Sequence, residues 1–499
     1  MNTKTILVII VVIVIISSIV FGVQMLFSDT YNDTQTDPRE ELSKTLAGAL
    51  EHGITCSQIE EFTNAVSLFK NGRKAEAKTE FQNLSQKIGE GNLSQLTIEP
   101  PSDETQFYNG LFFNYISNAR YALANIDNLK ECGFDTIFLN VQMLDRPDGS
   151  LYVPGEEVYF FYINAFHASG FKIWLAPSHT AFEFPYRFNS PPHVARELDN
   201  QFDVFDIAEP VILEWAEIAQ HYQVEGFIPL EEANALTKEQ GSTITDMYQD
   251  ERDFLSNWSQ EIRSKIEPKY SGKIGFATND GGPAERDEPG NQDLYPYPQG
   301  PDLNYTGYDF IVAKVPFINN FETDEKWLYE VENRLLSCKN YAERDGVSGG
   351  ALWYEAGAPV GGGMEEMDVA WDYRIIDEEK QAYAFEKTLE YLKNISGIFF
   401  LPSCSSTCEG NWSFLGNPAE YVLKEKLTTS DEIEPKTIDE LWISLGEEGL
   451  LIIQLAIAPD IPFDPDYSLD HSCYDDYYHN LELMIDGECN SYGGYGYDC

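Results

Sequence analysis

The stretch VEGFIPLEEAN, residues 224–234, predicts the architecture of the chain. It is a short apolar run that ends abruptly in two carboxylates, Glu231 and Glu232. Apolar runs of this length, with polar residues only at the end, are typical of strands buried in a parallel sheet. A second stretch, GGALWYEAG at residues 349–357, has the same form and carries Glu355 near its end. We therefore interpret the remaining elements as the frame that holds these two strands together.

Strand and helix patterns alternate through residues 104–428, where eight strands are predicted. Most of the intervening segments are helical, and glycines such as Gly133 and Gly170 end the helices. This alternation indicates an α/β fold, a closed (β/α)8 TIM barrel. A doubly wound open sheet is the alternative, and it is disfavoured because no glycine-rich phosphate loop follows the first strand. The predicted strands are residues 110–115, 134–144, 171–179, the 224–234 stretch, and residues 273–278, 308–317, 347–355 and 395–401.

Residues 1–28 are predicted to be a transmembrane signal-anchor. Residues 6–23 are almost unbroken apolar, with Lys4 in front, and such a run is long enough for a helix that crosses a bilayer. No clear small-residue cleavage site follows, so an uncleaved anchor is favoured over a removed signal peptide. Both alternatives place the remainder of the chain outside the cytoplasm, either anchored to the membrane or secreted.

Two further segments, residues 29–103 and 429–499, flank the predicted barrel. The first is interpreted as a polar tether followed by helical patterns over residues 38–88, which the pair Asn71-Gly72 separates into two helices. We interpret these helices as a spacer, with partner binding as the alternative. The second segment is predicted to be a small, β-rich, cysteine-containing tail, with strands at residues 441–445 and 450–457 joined by a turn at residues 446–449.

Composition and cysteine usage restrict the environment of the chain. With 33 basic and 83 acidic residues the formal charge is −50, which repels nucleic acid and anionic membrane surfaces. Seven Asn-x-Ser/Thr sequons agree with a location outside the cytoplasm. The eight cysteines predict disulfides in that compartment without fixing their pairing. Cys132 and Cys338 lie in helical patterns and are interpreted as packed thiols.

Chemistry is expected at the carboxyl ends of the strands, where the active sites of such barrels lie. Long loops that follow the third, fifth and seventh strands carry polar and aromatic residues. Aromatic rings there would stack on the apolar faces of sugar rings, or they would pack the loops onto the barrel. Two carboxylates at strand ends of one barrel can flank a glycosidic bond. The candidate substrate-binding residues are His179, Glu231, Asn279, Asp280, Tyr305 and Trp353.

The fourth- and seventh-strand motifs resemble those of the clan A glycoside hydrolases, over residues 104–428. Residues 227–234 are similar to the clan's fourth-strand motif, and the resemblance gives Glu232 the place of the acid/base. Residues 352–357 are similar to its seventh-strand motif, with Glu355 in the place of the nucleophile. The segment that begins at Gly416 is similar to the clan's closing helix, and endo-β-mannanase-like members are the nearest in character.

Two positions depart from the pattern of the clan. The clan usually has Asn directly before the acid/base, where it bonds the sugar 2-hydroxyl, whereas this chain has Glu231. It often has Trp at the end of the eighth strand, whereas this chain has Leu401 and Pro402. Because of the first departure, this chain lacks the residue that usually contacts the sugar 2-hydroxyl. Because of the second, it lacks the tryptophan that usually forms the floor of the catalytic subsite. Glu231 either aims at the cleft and raises the pKa of Glu232, or turns away to an ion pair or a loop amide.

The sequence therefore predicts a membrane-anchored, outward-facing retaining β-glycosidase that acts on an oligosaccharide or polysaccharide. The resemblance implies double displacement, with Glu355 as nucleophile and Glu232 as acid and then base, and it requires no metal and no organic cofactor. The alternative is a catalytically inert barrel that binds glycans or serves as a structural module at the cell surface. The pair Glu232 and Glu355 favours the enzyme, whereas Glu231 and the missing tryptophan favour the inert barrel.

Overall fold

A computed structural model describes most of the chain between residues 37 and 458. The predicted membrane anchor, residues 6–23, lies outside the described residues. None of the helices within the described ranges is both long and apolar enough to cross a membrane. The described residues are 37–100, 107–113, 116, 119–146, 150–178, 203–231, 233, 249–278, 303–315, 318, 323–356, 378–401, 414–427 and 436–458.

The centre of the molecule is a closed barrel of eight parallel strands. Each strand pairs with the next one along the chain, and the eighth pairs with the first, where Gly110 lies opposite Phe399. The predicted (β/α)8 barrel is confirmed, and the two decisive stretches are its fourth and seventh strands. The strands are β1 Tyr108–Phe113, β2 Thr136–Gln142, β3 Lys172–Ser178, β4 Gly226–Phe227, β5 Lys273–Thr278, β6 Phe310–Lys314, β7 Ala351–Ala356 and β8 Gly397–Phe400.

Helices form a layer around the barrel and a second layer on one side of it. The helical segment between β1 and β2 consists of two short helices, which Asn125 separates. A small antiparallel hairpin, Leu144–Asp145 with Leu151–Tyr152, follows β2. The helices are α1 Arg39–His52, α2 Cys56–Lys70, α3 Lys74–Ile88, α4 Ala119–Ala124, α5 Ile126–Glu131, α6 Glu156–Ser169, α7 Asp203–His221, α8 Gln249–Ile266, α9 Asp324–Asp345, α10 Glu378–Leu389, α11 Pro418–Leu427 and α12 Thr437–Ile457.

Aromatic and aliphatic side chains fill the barrel, since alternate strand residues point inward. The indole of Trp174 lies among them and meets the rings of Tyr108 and Phe310 at centroid distances of 5.4 and 5.6 Å. A Cβ atom on Gly226 would lie 2.1 Å from this indole. Position 226 is therefore glycine because β4 passes too close to Trp174 for any side chain.

Strand β4 is short, yet the chain after it keeps following β3. The backbone N–H of Ile228 donates to Leu175 O at 2.8 Å, and that of Glu231 donates to Pro177 O at 2.8 Å. These bonds carry the segment after β4 to the carboxyl end of the barrel. Glu231 is thus held at the rim by its own backbone and not by a mobile loop.

The N-terminal helices contain one break that was not predicted. The structure has α1 and α2 where a single helix was predicted before Asn71, since the chain turns at Gly53 with φ +79°. Thr55 then caps α2, because its backbone N–H donates to Gln58 Oε1 at 2.9 Å and its hydroxyl accepts from the N–H of Gln58. A capping box of this kind starts a new helix, and the sequence reading overlooked it.

The predicted β-rich tail is wrong for the residues that the structure describes. Residues 437–457 form the long helix α12, and residues 459–499 lie outside the described ranges. Gly446 adopts φ 61° and ψ −178° inside this helix, so it marks a kink where a hairpin turn was expected. Burial on both sides of α12 explains the error. A helix with apolar residues on nearly all sides does not show the 3.6-residue periodicity of apolar and polar residues that identifies an amphipathic helix.

Helix α12 lies between the N-terminal helices and the barrel helices. Toward the barrel, Trp442 Nε1 donates to Ser169 Oγ at 3.1 Å, and the hydroxyl of Tyr162 donates to Gln454 Oε1 at 3.1 Å. Its other side packs against α1 and α2. The segment interpreted as a spacer is therefore docked on the barrel through α12.

The cysteines of the described ranges are free thiols. Cys132 and Cys338 are buried, which confirms their interpretation as packed thiols, and burial raises the pKa of Cys132 to about 12. Cys56 is exposed. The other five lie outside the described residues, where the predicted disulfides stay predictions.

Candidate active site

The two predicted carboxylate-bearing strands end at the same rim of the barrel. All eight strands are parallel, so their carboxyl ends form one rim. Glu231 follows β4 at this rim, and Glu355 is the fifth residue of β7. The prediction that both strand ends contribute to one site is consistent with this topology.

Glu231 lies in a polar cluster at the rim and is only 6% exposed. The hydroxyl of Ser178 donates to Glu231 Oε2 at 3.0 Å, and Asn140 Nδ2 donates to the same oxygen at 3.4 Å. Both donors are themselves buried. The Glu231 carboxylate is therefore fixed by neutral donors from β2 and β3.

Strand alternation explains why these donors face the barrel interior. Phe138, Trp174 and Ala176 belong to the interior cluster of side chains. Asn140 and Ser178 follow at intervals of two residues and thus share that face. The sequence reading missed both residues, although a polar residue at the inward position near a strand's carboxyl end was available as a signal.

Gln142 extends the polar cluster by one step along β2. Its side chain is buried, with 8% exposure, and its register partner is Ser178. Within the described residues Gln142 Nε2 has no hydrogen-bond partner. The backbone N–H of Gln142 donates to the Tyr159 hydroxyl at 3.0 Å, which fixes this end of the strand. A buried amide without a protein partner is costly unless a ligand or water satisfies it.

Strand β7 is irregular in the segment that includes Glu355. Trp353 lies opposite Ile398, but Ala356 lies opposite Phe400, so β7 has one residue more than β8 over this interval. Tyr354 belongs to the interior cluster and Ala356 to the outer core, which breaks strict alternation. Bulges of this kind are frequent beside active sites, where they redirect a strand residue.

Two of the predicted substrate-binding rings lie away from the rim. The ring of Trp353 belongs to the outer core, 5.9 Å from the ring of Tyr391, and is 1% exposed. Tyr305 precedes β6 at the amino end of the barrel, where its ring stacks on Tyr341 and its N–H donates to Asp345 Oδ2 at 2.9 Å. Both rings pack the wall of the fold, so we leave them out of the proposed site.

The remaining predicted residues are not placed by the structure. His179, Glu232, Asn279 and Asp280 lie outside the described residues, as does the side chain of Glu355. The distance between the carboxyls of Glu232 and Glu355 therefore stays a prediction. Of the predicted set, Glu231 is the residue that the structure places at the rim together with polar neighbours.

The chain is similar in fold to solved structures of glycoside hydrolases. A complex of a GH113 β-1,4-mannanase matches with a TM-score of 0.41 and 14% identity, over 66% of this chain and 99% of the other. The GH113 β-mannanase AaManA from Alicyclobacillus acidocaldarius matches with a TM-score of 0.40 and 14% identity, over 67% of this chain and 99% of the mannanase. ZgEngAGH5_4 in complex with a cellotriose matches with a TM-score of 0.40 and 12% identity, over 66% of this chain and 100% of the other. At these identities the likeness concerns the fold alone.

Comparison with protein-family models and with curated proteins gives no match.

Proposed function

We propose that this protein is a retaining β-glycoside hydrolase with Glu355 as nucleophile and Glu232 as acid/base. The observation that supports the proposal is the barrel itself. The stretches that carry these glutamates are its fourth and seventh strands, and both end at one rim. The buried cluster of Glu231, Ser178 and Asn140 beside β4 supplies polar groups at the same rim.

The proposed reaction is a double displacement. The Glu355 carboxylate attacks the anomeric carbon while the glycosidic carbon–oxygen bond breaks, and Glu232 gives its proton to the leaving oxygen. Glu232 then takes a proton from water, whose oxygen attacks the anomeric carbon and releases Glu355. The two carboxyls are expected about 5–5.5 Å apart, which is the separation that retaining enzymes require.

The polar cluster is proposed to hold sugar hydroxyls near the reacting carbon. The Glu231 carboxylate accepts hydrogen bonds, and the Gln142 amide donates them. This division suits a hydroxyl, which donates and accepts at once. His179 follows the last residue of β3 in the sequence, and Asn279 and Asp280 follow the last residue of β5; these three residues are proposed as further contacts.

The substrate and location are also part of the proposal. The sequence motifs resemble mannanase-like enzymes, so β-1,4-mannan is the first polysaccharide to test. We propose that the catalytic domain lies outside the cytoplasm, anchored or secreted, and the apolar segment at residues 6–23 and the sequons support this location.

Hydrolysis assays on the full chain test this proposal. Detergent-purified protein is incubated with β-1,4-mannan and with aryl β-glycosides that have good and poor leaving groups. Glu355→Gln is expected to abolish turnover, because no nucleophile remains. Glu232→Ala is expected to spare the activated aryl glycosides, since these need little acid help. Glu386→Gln, at an exposed position on α10, is the matched control and is expected to keep full activity.

Three results would count against the proposal. Full activity of Glu355→Gln would remove the assigned nucleophile, and equal losses on both kinds of leaving group would contradict the acid role of Glu232. Saturable mannan binding without hydrolysis by the unmodified chain would favour the inert glycan-binding barrel instead.

A further inference from the structure

A lysine lies at the carboxyl end of β6, on the face of the strand that points into the barrel. Phe310 and Val312 belong to the interior cluster of side chains, whereas Ile311 and Ala313 belong to the outer core. Successive strand residues point to opposite faces, so Lys314, the last residue of β6, continues the inward series. Its side chain is half-buried, which fits an inward position at the rim.

The register between β6 and β7 gives the same orientation independently. Val312 lies opposite Leu352, and both side chains belong to the interior cluster. Lys314 lies opposite Tyr354, which is also a member of that cluster. Adjacent strands are about 4.8 Å apart, and Glu355 is the next residue of β7. Lys314 is therefore beside the strand end that carries the proposed nucleophile.

The backbone at Lys314 is held from two sides. The N–H of the next residue, Val315, donates to Tyr354 O at 3.0 Å. From α9, the guanidinium of Arg334 donates through Nη1 to Lys314 O at 2.6 Å. Arg334 is 5% exposed, and its Nε donates to Glu330 Oε1 at 3.1 Å. The lysine side chain therefore starts from a fixed point, as a preorganised site requires.

The other strands beside β7 place apolar groups at this level. From β8, Leu401 packs against the interior cluster. From β1, the ring of Phe112 meets that of Tyr354 at a centroid distance of 5.2 Å. On β7 itself, the Tyr354 phenol is titratable. Of the inward residues that the structure describes around the end of β7, Lys314 is thus the one whose side chain is a cation.

The opposite charge lies on the β4 side of the rim. There the buried carboxyl of Glu231 directly precedes Glu232 in the chain. A retaining reaction needs one carboxylate and one carboxylic acid at the same rim. A nearby cation favours the ionised form of a carboxyl, and a nearby carboxylate disfavours it. The positions of Lys314 and Glu231 therefore push the two proposed catalytic groups toward opposite protonation states.

We propose that Lys314 is a positioning residue that keeps the Glu355 carboxyl ionised for attack on the anomeric carbon. Its ammonium donates a charge-assisted hydrogen bond to that carboxylate in the free enzyme. The inference rests on the proposed function, because it concerns the nucleophile of that reaction. It adds a residue from β6, a strand to which the sequence motifs assign no role.

The pH dependence of kcat/KM on an activated aryl β-glycoside tests the proposal, because such a substrate needs little acid help. Lys314→Met and Lys314→Gln are each expected to move the acidic limb to higher pH, since Glu355 then ionises less readily. Their kcat/KM is therefore expected to fall by a larger factor at pH 5 than at pH 8. Lys314→Arg keeps the charge and is expected to keep the limb in place.

Two controls make the result specific. Lys393→Met removes a lysine at an exposed position before β8 and is expected to leave the profile unchanged. Urea unfolding of each variant establishes that it is folded, and the Met and Gln substitutions give two independent chances of a folded variant without the charge.

The outcomes separate this inference from the proposed function. With an active unmodified chain and an inactive Glu355→Gln variant, an unmoved acidic limb in the folded Met or Gln variant would overturn the role of Lys314 alone. An equal shift in Lys314→Arg would also overturn it, because the charge would not be the cause. An unmoved limb with a raised KM for aryl glucuronides would instead make Lys314 a contact for acidic sugars. No hydrolysis by the unmodified chain would refute both the function and the inference.

Discussion

At the scale of single residues, Glu231 has the sharpest consequence for the proposed chemistry. Its carboxylate is buried and accepts hydrogen bonds from Ser178 and Asn140. It precedes Glu232 directly in the chain, so its charge is expected to disfavour ionisation of Glu232 and to raise that pKa. A raised pKa suits a general acid that works near neutral pH.

Glu231→Asn removes this charge and restores the residue that clan A enzymes usually have. The basic limb of the pH–rate profile is expected to move to lower pH, because Glu232 then loses its proton more easily. The measurement is kcat/KM on an aryl β-glycoside between pH 4 and 9, with Glu386→Gln as the control. An unmoved basic limb would reject the coupling. A complete loss of activity would indicate that Glu231 itself is the acid.

A second prediction concerns His167 and acid stability. The pKa of this residue falls from 6.5 to about 3 on folding, so between these values the unfolded chain binds more protons than the folded one. Stability from this group is therefore lost as pH falls through that window, by up to about 5 kcal/mol. Urea unfolding at pH 7 and pH 4 is expected to show a smaller acid-induced loss for His167→Gln than for the unmodified chain. An identical loss in both chains would contradict the prediction.

At the scale of elements, α12 depends on a conformation that glycine alone adopts readily. Gly446 has φ 61° and ψ −178°, a region that is essentially restricted to glycine. A Cβ there would meet no atom within 4 Å, so a substitution is opposed by the backbone and not by space. Gly446→Ala is expected to destabilise the fold by about 1–3 kcal/mol in urea unfolding. Ser444→Ala, at an exposed neighbouring position, is the control, and equal stability of the two variants would refute the strain.

The same helix shows where a local pattern is insufficient. Residues 437–457 contain a glycine between two apolar runs, which is also what a β-hairpin contains. Burial of residues such as Trp442 and Ile452 on different sides of α12 depends on the two layers that enclose it. Those layers are formed by chain segments hundreds of residues away. The local sequence around Gly446 therefore contains no sign that α12 is enclosed on both sides.

At the scale of the whole molecule, a buried ion pair joins α12 to the barrel. Lys130 Nζ lies 2.5 Å from Asp439 Oδ2, with side-chain exposures of 3% and 1%. Removal of one partner would leave the other charge buried alone, which costs about 3–5 kcal/mol. Lys130→Met is expected to lose about that much in urea unfolding, and the double variant Lys130→Met with Asp439→Leu is expected to recover most of it. A double variant no more stable than the single one would contradict this explanation.

The barrel was predictable because the local sequence pattern determines each strand and the segment after it, and this pattern recurs for all eight strands. The strand ends that carry Glu231 and Glu355 follow from the same local patterns. The cluster of Ser178, Asn140 and Gln142 does not, because it depends on the register between β2 and β3. Register is set when the barrel closes, and the chain alone does not display it.

The position of α12 between the two helical layers has a consequence for synthesis of the chain. Helices α1–α3 leave the ribosome first, but the helix that covers their apolar face is made roughly 350 residues later, after about 20–70 s of translation. During that interval Leu46, Phe62 and Phe69, which are buried in the finished protein, have no barrel or α12 to pack against. The nascent chain therefore carries an exposed apolar surface through most of its synthesis. We therefore expect the part of this surface that α1–α3 do not cover for one another to be a binding site for chaperones until α12 is made.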